Sequence, residues 1–220
     1  MGLARKLEQR LEQLVDGLSA AIFRGGMHPV ELAGRVIRQA DLATTDGDLG
    51  PEVPNVYSVR IHPKDLAAGI DLRALEREIA NAVAETAAER GWRTHGPISV
   101  SVTTDESVSI GAVDCTATQR QGRMRPWGQL IGARGGDMHD LADNRILVGR
   151  AGSSDVVLSQ PEVSRRHAMV FRQEGSVWVV DLGSANGTRV NRARVHSDPA
   201  QVRPGDELAF ASAVYTLRVT

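Results

Sequence analysis

Three short segments in the last hundred residues carry side chains suited to holding an anion. Gly149-Arg150 follows the apolar run Ile146-Leu147-Val148. Val163-Ser164-Arg165-Arg166-His167 runs directly into an apolar stretch at 168–171. Asp181-Leu182-Gly183-Ser184-Ala185-Asn186-Gly187-Thr188 is followed by Val190-Asn191. A phosphate ester carries a charge near −2 and accepts strong charge-assisted hydrogen bonds. An arginine fork and a serine hydroxyl are the donors such a group needs. Taken singly, each segment also reads as ordinary surface chemistry: a solvated arginine, a polar turn, and an Asn-Gly hairpin turn.

The same residues do not assemble a catalytic site on paper. Ser164, His167 and Asp181 have the types of a nucleophile, a base and an orienting acid. A serine and a histidine three apart at a strand start do not set a hydroxyl on an imidazole in an open cleft. The chain has no Gly-x-Ser-x-Gly elbow. Gly132-Ala133-Arg134-Gly135-Gly136 lacks the lysine and helix of a nucleotide phosphate loop. His28, His62, His95, His139, His167 and His196 show no His-Glu-x-x-His spacing. The single cysteine, Cys115, excludes a disulfide framework and a thiolate cluster. No enzyme activity, cofactor or metal is expected.

The elements that must position the three segments are short strands. From 127 onward the helical period vanishes. Apolar runs at 128–131, 145–148, 167–172, 176–181, 206–210 and 213–219 are broken by glycine-rich turns. Many short, evenly spaced strands imply an all-β sandwich or barrel. The preceding half differs. Leu3, Leu7, Leu11, Leu14, Val15, Leu18 and Ile22 fall at helical steps, and Gly25-Gly26 ends that helix. Pro29 opens a second helix through Leu32, Val36 and Ile37 to about Leu42. Residues 44–55 read as a loop. Tyr57, Val59 and Ile61 alternate as a strand. Asp71 caps a helix with Leu72, Leu75, Ile79 and Val83 inward, stopped by Gly91. Ile98, Val100 and Val102 give another strand, and 108–115 a third. The expected organisation is an α+β domain at 1–116, a linker at 117–126 and an all-β sandwich at 127–220.

In order and spacing, the three loop segments resemble the forkhead-associated (FHA) domain, a phosphothreonine-binding β-sandwich, over roughly residues 127–219. The resemblance implies roles residue by residue. Arg150 pairs with the phosphate, and Ser164 donates its hydroxyl to a phosphate oxygen. Arg165 lies beside the peptide, and Asn186 bonds the peptide backbone. His167 is structural and ties the binding loops together, while Gly149 and Gly187 permit the tight backbone. A small apolar pocket takes the threonine methyl. Ala185 departs from members with threonine or serine there, which removes one hydroxyl contact and leaves a main-chain donor. The run Phe23-Arg24-Gly25-Gly26-Met27-His28-Pro29-Val30-Glu31-Leu32-Ala33 and the strand-helix-strand block at 56–102 resemble the N-terminal domain of actinobacterial FhaA-type proteins.

Composition fits this reading. The 220 residues are 41% hydrophobic and 24% charged with net charge −1, ordinary for a soluble protein. Residues 1–120 are net −4, whereas 121–220 are net +3 and draw every basic side chain from arginine. That excess is too small to imply a nucleic-acid surface. No apolar run of about 18 residues suggests membrane insertion. Residues 1–10 alternate charge with leucine and lack an apolar signal core. A reducing cytoplasm is the compartment expected. The expected function is an adaptor in bacterial Ser/Thr-kinase signalling. It binds a Thr-phosphorylated protein, with a Ser/Thr kinase or a cell-wall synthesis and division protein as candidate partner. Thr44 and Thr45, ahead of Asp46 and Asp48, are candidate phosphosites. The alternative is a self-associating scaffold that uses the N-terminal helices.

Overall fold

The computed structural model describes residues 28–66, 70–133, 135–196 and 198–219. The expected helix at 3–22 lies outside the described residues. Contacts divide the chain into two compact units. One comprises Met1–Thr45, Glu52–Ala87 and Thr94–Gly122, and the other Asp46–Pro51, Ala88–Arg93 and Arg123–Thr220.

In the first unit, α1 spans Pro29–Leu42. His28 caps it by accepting the Val30 N–H on Nδ1, and proline occupies the first turn, where its missing N–H costs nothing. Its buried residues, Leu32, Ala33, Val36, Ile37 and Ala40, recur at helical steps and form one apolar face. The central strand β3, Val56–Ile61, buries Tyr57, Val59 and Ile61 in strict alternation. Residues 45–47 and 50–52, of which 46–51 count with the second unit, form a two-stranded ribbon, β1 (Thr45–Gly47) and β2 (Gly50–Glu52), where the composition suggested only loop. Three-residue strands are too short to show a period.

Helix α2, Leu72–Arg90, starts where Asp71 Oδ1 accepts the Ala74 N–H at 3.1 Å. It buries Leu75, Ile79, Ala82 and Val83, and ends at Gly91, whose φ of 65° is left-handed. It forms the crossover that lets β4, Ser99–Thr104, pair parallel to β3. β5, Val113–Thr118, pairs antiparallel on the other side of β3. It thus lies further along than the 108–115 expected. Gly111 turns at φ 79° and its N–H is captured by Asp65 Oδ2 at 2.7 Å, so 108–112 belong to the turn.

The second unit is a sandwich of two antiparallel-dominated sheets. One has the order β14-β11-β10-β8-β9 and the other β13-β12-β15-β16-β6-β7. The strands are β6 (Gly128–Gly132), β7 (Met138–Leu141), β8 (Arg145–Gly149), β9 (Val156–Val157), β10 (Ala168–Gln173) and β11 (Ser176–Asp181). They continue as β12 (Thr188–Val190), β13 (Ala193–Val195), β14 (Ala200–Val202), β15 (Glu207–Phe210) and β16 (Ala213–Val219). Leu130, Val148, Val170, Val179, Leu208 and Phe210 are fully buried between the sheets. The alternation signalled the longer strands, whereas β7, β9, β12, β13 and β14 have only two to four residues. The short segments 46–51 and 88–93 count with this unit, and polar bonds tie both to it: Arg145 Nη1 donates to Leu49 O at 3.2 Å. Arg145 Nε donates to Gly91 O at 2.6 Å, and Arg93 forks onto Asp155 at 2.7 and 3.1 Å.

Candidate functional site

Three connections of the sandwich carry the anion-suited segments: 150–155 after β8, 158–167 before β10, and 182–187 between β11 and β12. Main-chain bonds join the first two. Arg150 N–H donates to Ser164 O at 2.9 Å and Ala151 N–H to Arg165 O at 3.1 Å. The approach depends on Gly149: a Cβ there would stand 2.2 Å from Arg165 O, inside any allowed contact. Arg150 is exposed, and its Nε donates to Val163 O at 3.2 Å. Its remaining guanidinium N–H groups extend beyond that anchor.

Ser164 is the junction of the three loops. Its carbonyl takes Arg150 N–H, and its Oγ accepts the Ala185 N–H at 3.0 Å. Because that hydroxyl accepts, its own proton is available to a ligand. Asn186 is exposed, with Nδ2 donating to Glu162 O at 2.7 Å, which ties the third loop to the second. Arg165 and Arg166 are exposed beside them, and Arg166 also reaches Asp48 O at 3.4 Å.

Beneath this surface His167 is completely buried. Its Nδ1 accepts the Ser164 N–H at 3.1 Å, so Nε2 carries the proton toward Gly187 O at 3.2 Å. Its main-chain N–H and C=O bond Val148 and Leu182, and its ring meets Phe210 edge-on at 6.0 Å. Burial pulls the imidazole pKa below its ordinary value, opposed by the Gly187 bond and the charge of Asp181. The neutral ring suits a bridge that must accept at one nitrogen and donate at the other. This geometry also disposes of a Ser164–His167–Asp181 triad, since the imidazole holds the serine's amide and not its hydroxyl.

Asp181 plays a part that sequence reading did not assign. Its Oδ1 accepts the N–H groups of Gly183 and Ser184 at 2.9 and 2.8 Å, and Oδ2 the hydroxyls of Ser184 and Thr188, both at 2.7 Å. Burial raises its pKa, but these bonds outweigh that and hold it below the ordinary carboxylate value. Ser184 Oγ in turn accepts Gly187 N–H at 2.9 Å. Gly187, at φ 80°, completes the turn. Asp-x-x-Ser with a hydroxyl three residues past the serine's neighbour was the available signal, since such residues cap their own backbone. Among the described residues no group of His, Cys, Asp and Glu is arranged to hold a metal ion.

Of the named residues, Arg150, Ser164, Arg165, Ala185, Asn186, Gly149, His167 and Gly187 thus all belong to this loop cluster. Thr44 and Thr45 lie elsewhere in the sequence. Thr44 donates its hydroxyl to Ala40 O at 3.1 Å, and Thr45 is exposed at the start of β1.

Comparison with known proteins agrees with both halves. Residues 146–211 match the FHA domain family. The oxoglutarate dehydrogenase inhibitor of Corynebacterium diphtheriae is 50% identical over 84 residues, covering 37% of this chain and 57% of that protein. The FHA domain-containing protein FhaB of Mycobacterium tuberculosis is 41% identical over 68 residues, covering 31% of this chain and 41% of that protein. The chain therefore spans well under two thirds of the length of these curated relatives. A solved structure of the FhaA FHA domain complexed with the intracellular domain of Rv3910 is 26% identical, covering 41% of this chain and 98% of that one, with a TM-score of 0.38. Residues 4–116, just over half of the chain, match the family described as FhaA, N-terminal domain. The chain belongs to the FhaA N-terminal domain family and carries an FHA domain behind that region.

Proposed function

We propose that the chain is a phosphothreonine-dependent protein-binding adaptor in bacterial Ser/Thr-kinase signalling, acting without a catalytic step in the cytoplasm. The observation that carries this reading is the convergence of three loops on Ser164, whose carbonyl and hydroxyl hold Arg150 N–H and Ala185 N–H. That arrangement brings a cation, a hydroxyl donor and the Asn186 amide to one surface, the set a phosphorylated, extended peptide requires. Arg150 and Ser164 take the phosphate, Arg165 and Ala185 flank it, and Asn186 holds the peptide backbone. His167, Gly149 and Gly187 maintain the loops. The relatives support a regulatory role, since one is named an inhibitor of oxoglutarate dehydrogenase. A partner in cell-wall synthesis or division, or a Ser/Thr kinase, is the proposed source of the phosphothreonine. The proposed organisation is a domain expected at 1–116, a linker expected at 117–126 and the binding domain at 127–220, with β5 carrying the first domain two residues into that linker, to Thr118. Of the proposed phosphosites, Thr45 is the exposed one. Among the described residues no helix is long and apolar enough to cross a membrane.

The test is calorimetric titration with a degenerate phosphothreonine peptide mixture and its unphosphorylated counterpart. Saturable binding of the phosphorylated mixture alone is expected. Equal binding of both, or binding of neither, overturns the reading.

A further inference from the structure

The hairpin that leaves the candidate site concentrates arginine in an unusual way. β12 and β13 pair so that Arg189 and Arg194 stand directly opposite each other, both exposed. Like charges at directly opposed positions destabilise a sheet. The turn between them places Arg192 at φ 72°, a left-handed conformation that arginine rarely takes. Among the described residues none of the three makes an ion pair. No ion pair among the described residues therefore offsets the clustered charge.

The position of the Arg194 head supplies the direction. A Cβ on Gly187 would meet Arg194 Nη2 at 3.2 Å, Nε at 3.3 Å and Cζ at 3.4 Å. The guanidinium thus lies against the bare backbone of Gly187, the residue after Asn186. That backbone is fixed, since Gly187 O accepts Ala211 N–H at 3.1 Å and faces His167 Nε2 at 3.2 Å. Ala209, which Arg189 faces across to β15, is only 8% exposed. A surface arginine ordinarily keeps its charged head in water, whereas this one rests on the turn of the site.

We propose that Arg194, supported by Arg189, forms a second anion-reading subsite at the Asn186 end of the loop cluster. It selects phosphothreonine peptides that carry a second negative group, a carboxylate or another phosphate, beside the phosphothreonine. This rests on the phosphopeptide reading of the site. Arg194 meets a peptide that has already been placed by Asn186, so an anionic side chain there gains a bidentate partner without a separate binding event.

The experiment uses the full chain and a degenerate phosphothreonine peptide mixture with neutral flanking residues, titrated by fluorescence anisotropy. Asp is then fixed at one flanking position at a time, and a second phosphothreonine likewise. At one flank the acidic peptide should bind about three- to tenfold more tightly than the neutral mixture, and the gain should shrink as salt rises. A gain with Asp, with the second phosphate or with both supports the subsite and identifies the source of the charge. In Arg194→Gln the acidic-to-neutral ratio should collapse toward one, and in Arg189→Gln it should fall part of the way. Arg218→Gln, which removes an exposed arginine on β16, should leave the ratio as it is in the parent. If the neutral phosphopeptides bind but no flank gives a gain, or if the gain survives in both Arg194→Gln and Arg189→Gln, the subsite is overturned alone. If no phosphopeptide binds at all, the phosphopeptide reading falls and the subsite with it.

Discussion

A Cβ on Gly149 would stand 2.2 Å from the carbonyl oxygen of Arg165, so the close approach of the Arg150 loop to the Ser164 loop is available to glycine alone at that position. Gly149→Ala should therefore force the loops apart. Overpacking of this kind costs typically about 1–3 kcal/mol. The melting temperature should drop, and phosphopeptide affinity should drop with it, because the bonds from Arg150 and Ala151 to the second loop are stretched. A Gly149→Ala protein with parental melting temperature and affinity would contradict the tight approach.

Arg150→Ala and Ser164→Ala should each weaken phosphothreonine peptide binding at least about tenfold, since a hydrogen bond to a charged group contributes roughly 1.5–3 kcal/mol. The two should differ in stability. Arg150 is exposed, whereas Ser164 Oγ also anchors Ala185 N–H. Calorimetry alongside thermal melts separates the effects. Parental affinity in Arg150→Ala would remove the phosphate role from that residue.

His167 makes stability depend on pH. Its folded pKa is depressed, so the folded chain resists protonation while the unfolded chain takes up a proton near about pH 6.5. The contribution of the neutral ring is complete above that value and is lost progressively as pH falls toward the folded pKa. Urea midpoints should decline from neutral pH downward. His167→Gln should be less stable at pH 7 and should flatten this decline. An unchanged slope in the variant would place the titration elsewhere.

Asp181 should show the same sense of dependence in a more acidic window. Its folded pKa is lowered, so its contribution is present above the ordinary aspartate value of about 3.9 and is lost as pH falls below it. Asp181→Ala strands the donors of Gly183, Ser184 and Thr188, at a cost of about 1–3 kcal/mol or more. Amide hydrogen exchange should rise selectively over 182–188. Uniform exchange across the sandwich with no local rise would argue against the clamp.

The site should prefer phosphothreonine to phosphoserine. The phosphate is the same in both, so Arg150 and Ser164 cannot separate them. One buried methyl contributes about 0.8 kcal/mol, roughly fourfold, and the stiffer χ1 of threonine adds to it. Titration with two peptides that differ only at that residue decides it, and equal affinities would mean that the methyl is not enclosed.

The two kinds of fold and the loop residues of the cluster were legible in local patterns of the sequence. Helical steps from Leu32 to Ala40, alternation through Tyr57, Val59 and Ile61, and glycine-punctuated strands after 127 are local patterns, because each follows from how neighbouring side chains share a face. Gly149-Arg150, Ser164 through His167 and Asn186-Gly187 were legible as motifs for the same reason. The strands β7, β9, β12, β13 and β14 were not, since two to four residues show no period and form only when a partner strand supplies their hydrogen bonds. The partners of His167, Ser164 N–H on one nitrogen and Gly187 O on the other, follow from which loops the sandwich brings together, and no local pattern carries them. The Asp181 clamp and the Arg194 head resting on Gly187 belong to the same class. Arg189 and Arg194 are five residues apart in sequence, and nothing in that spacing reveals that the register of a hairpin sets them face to face.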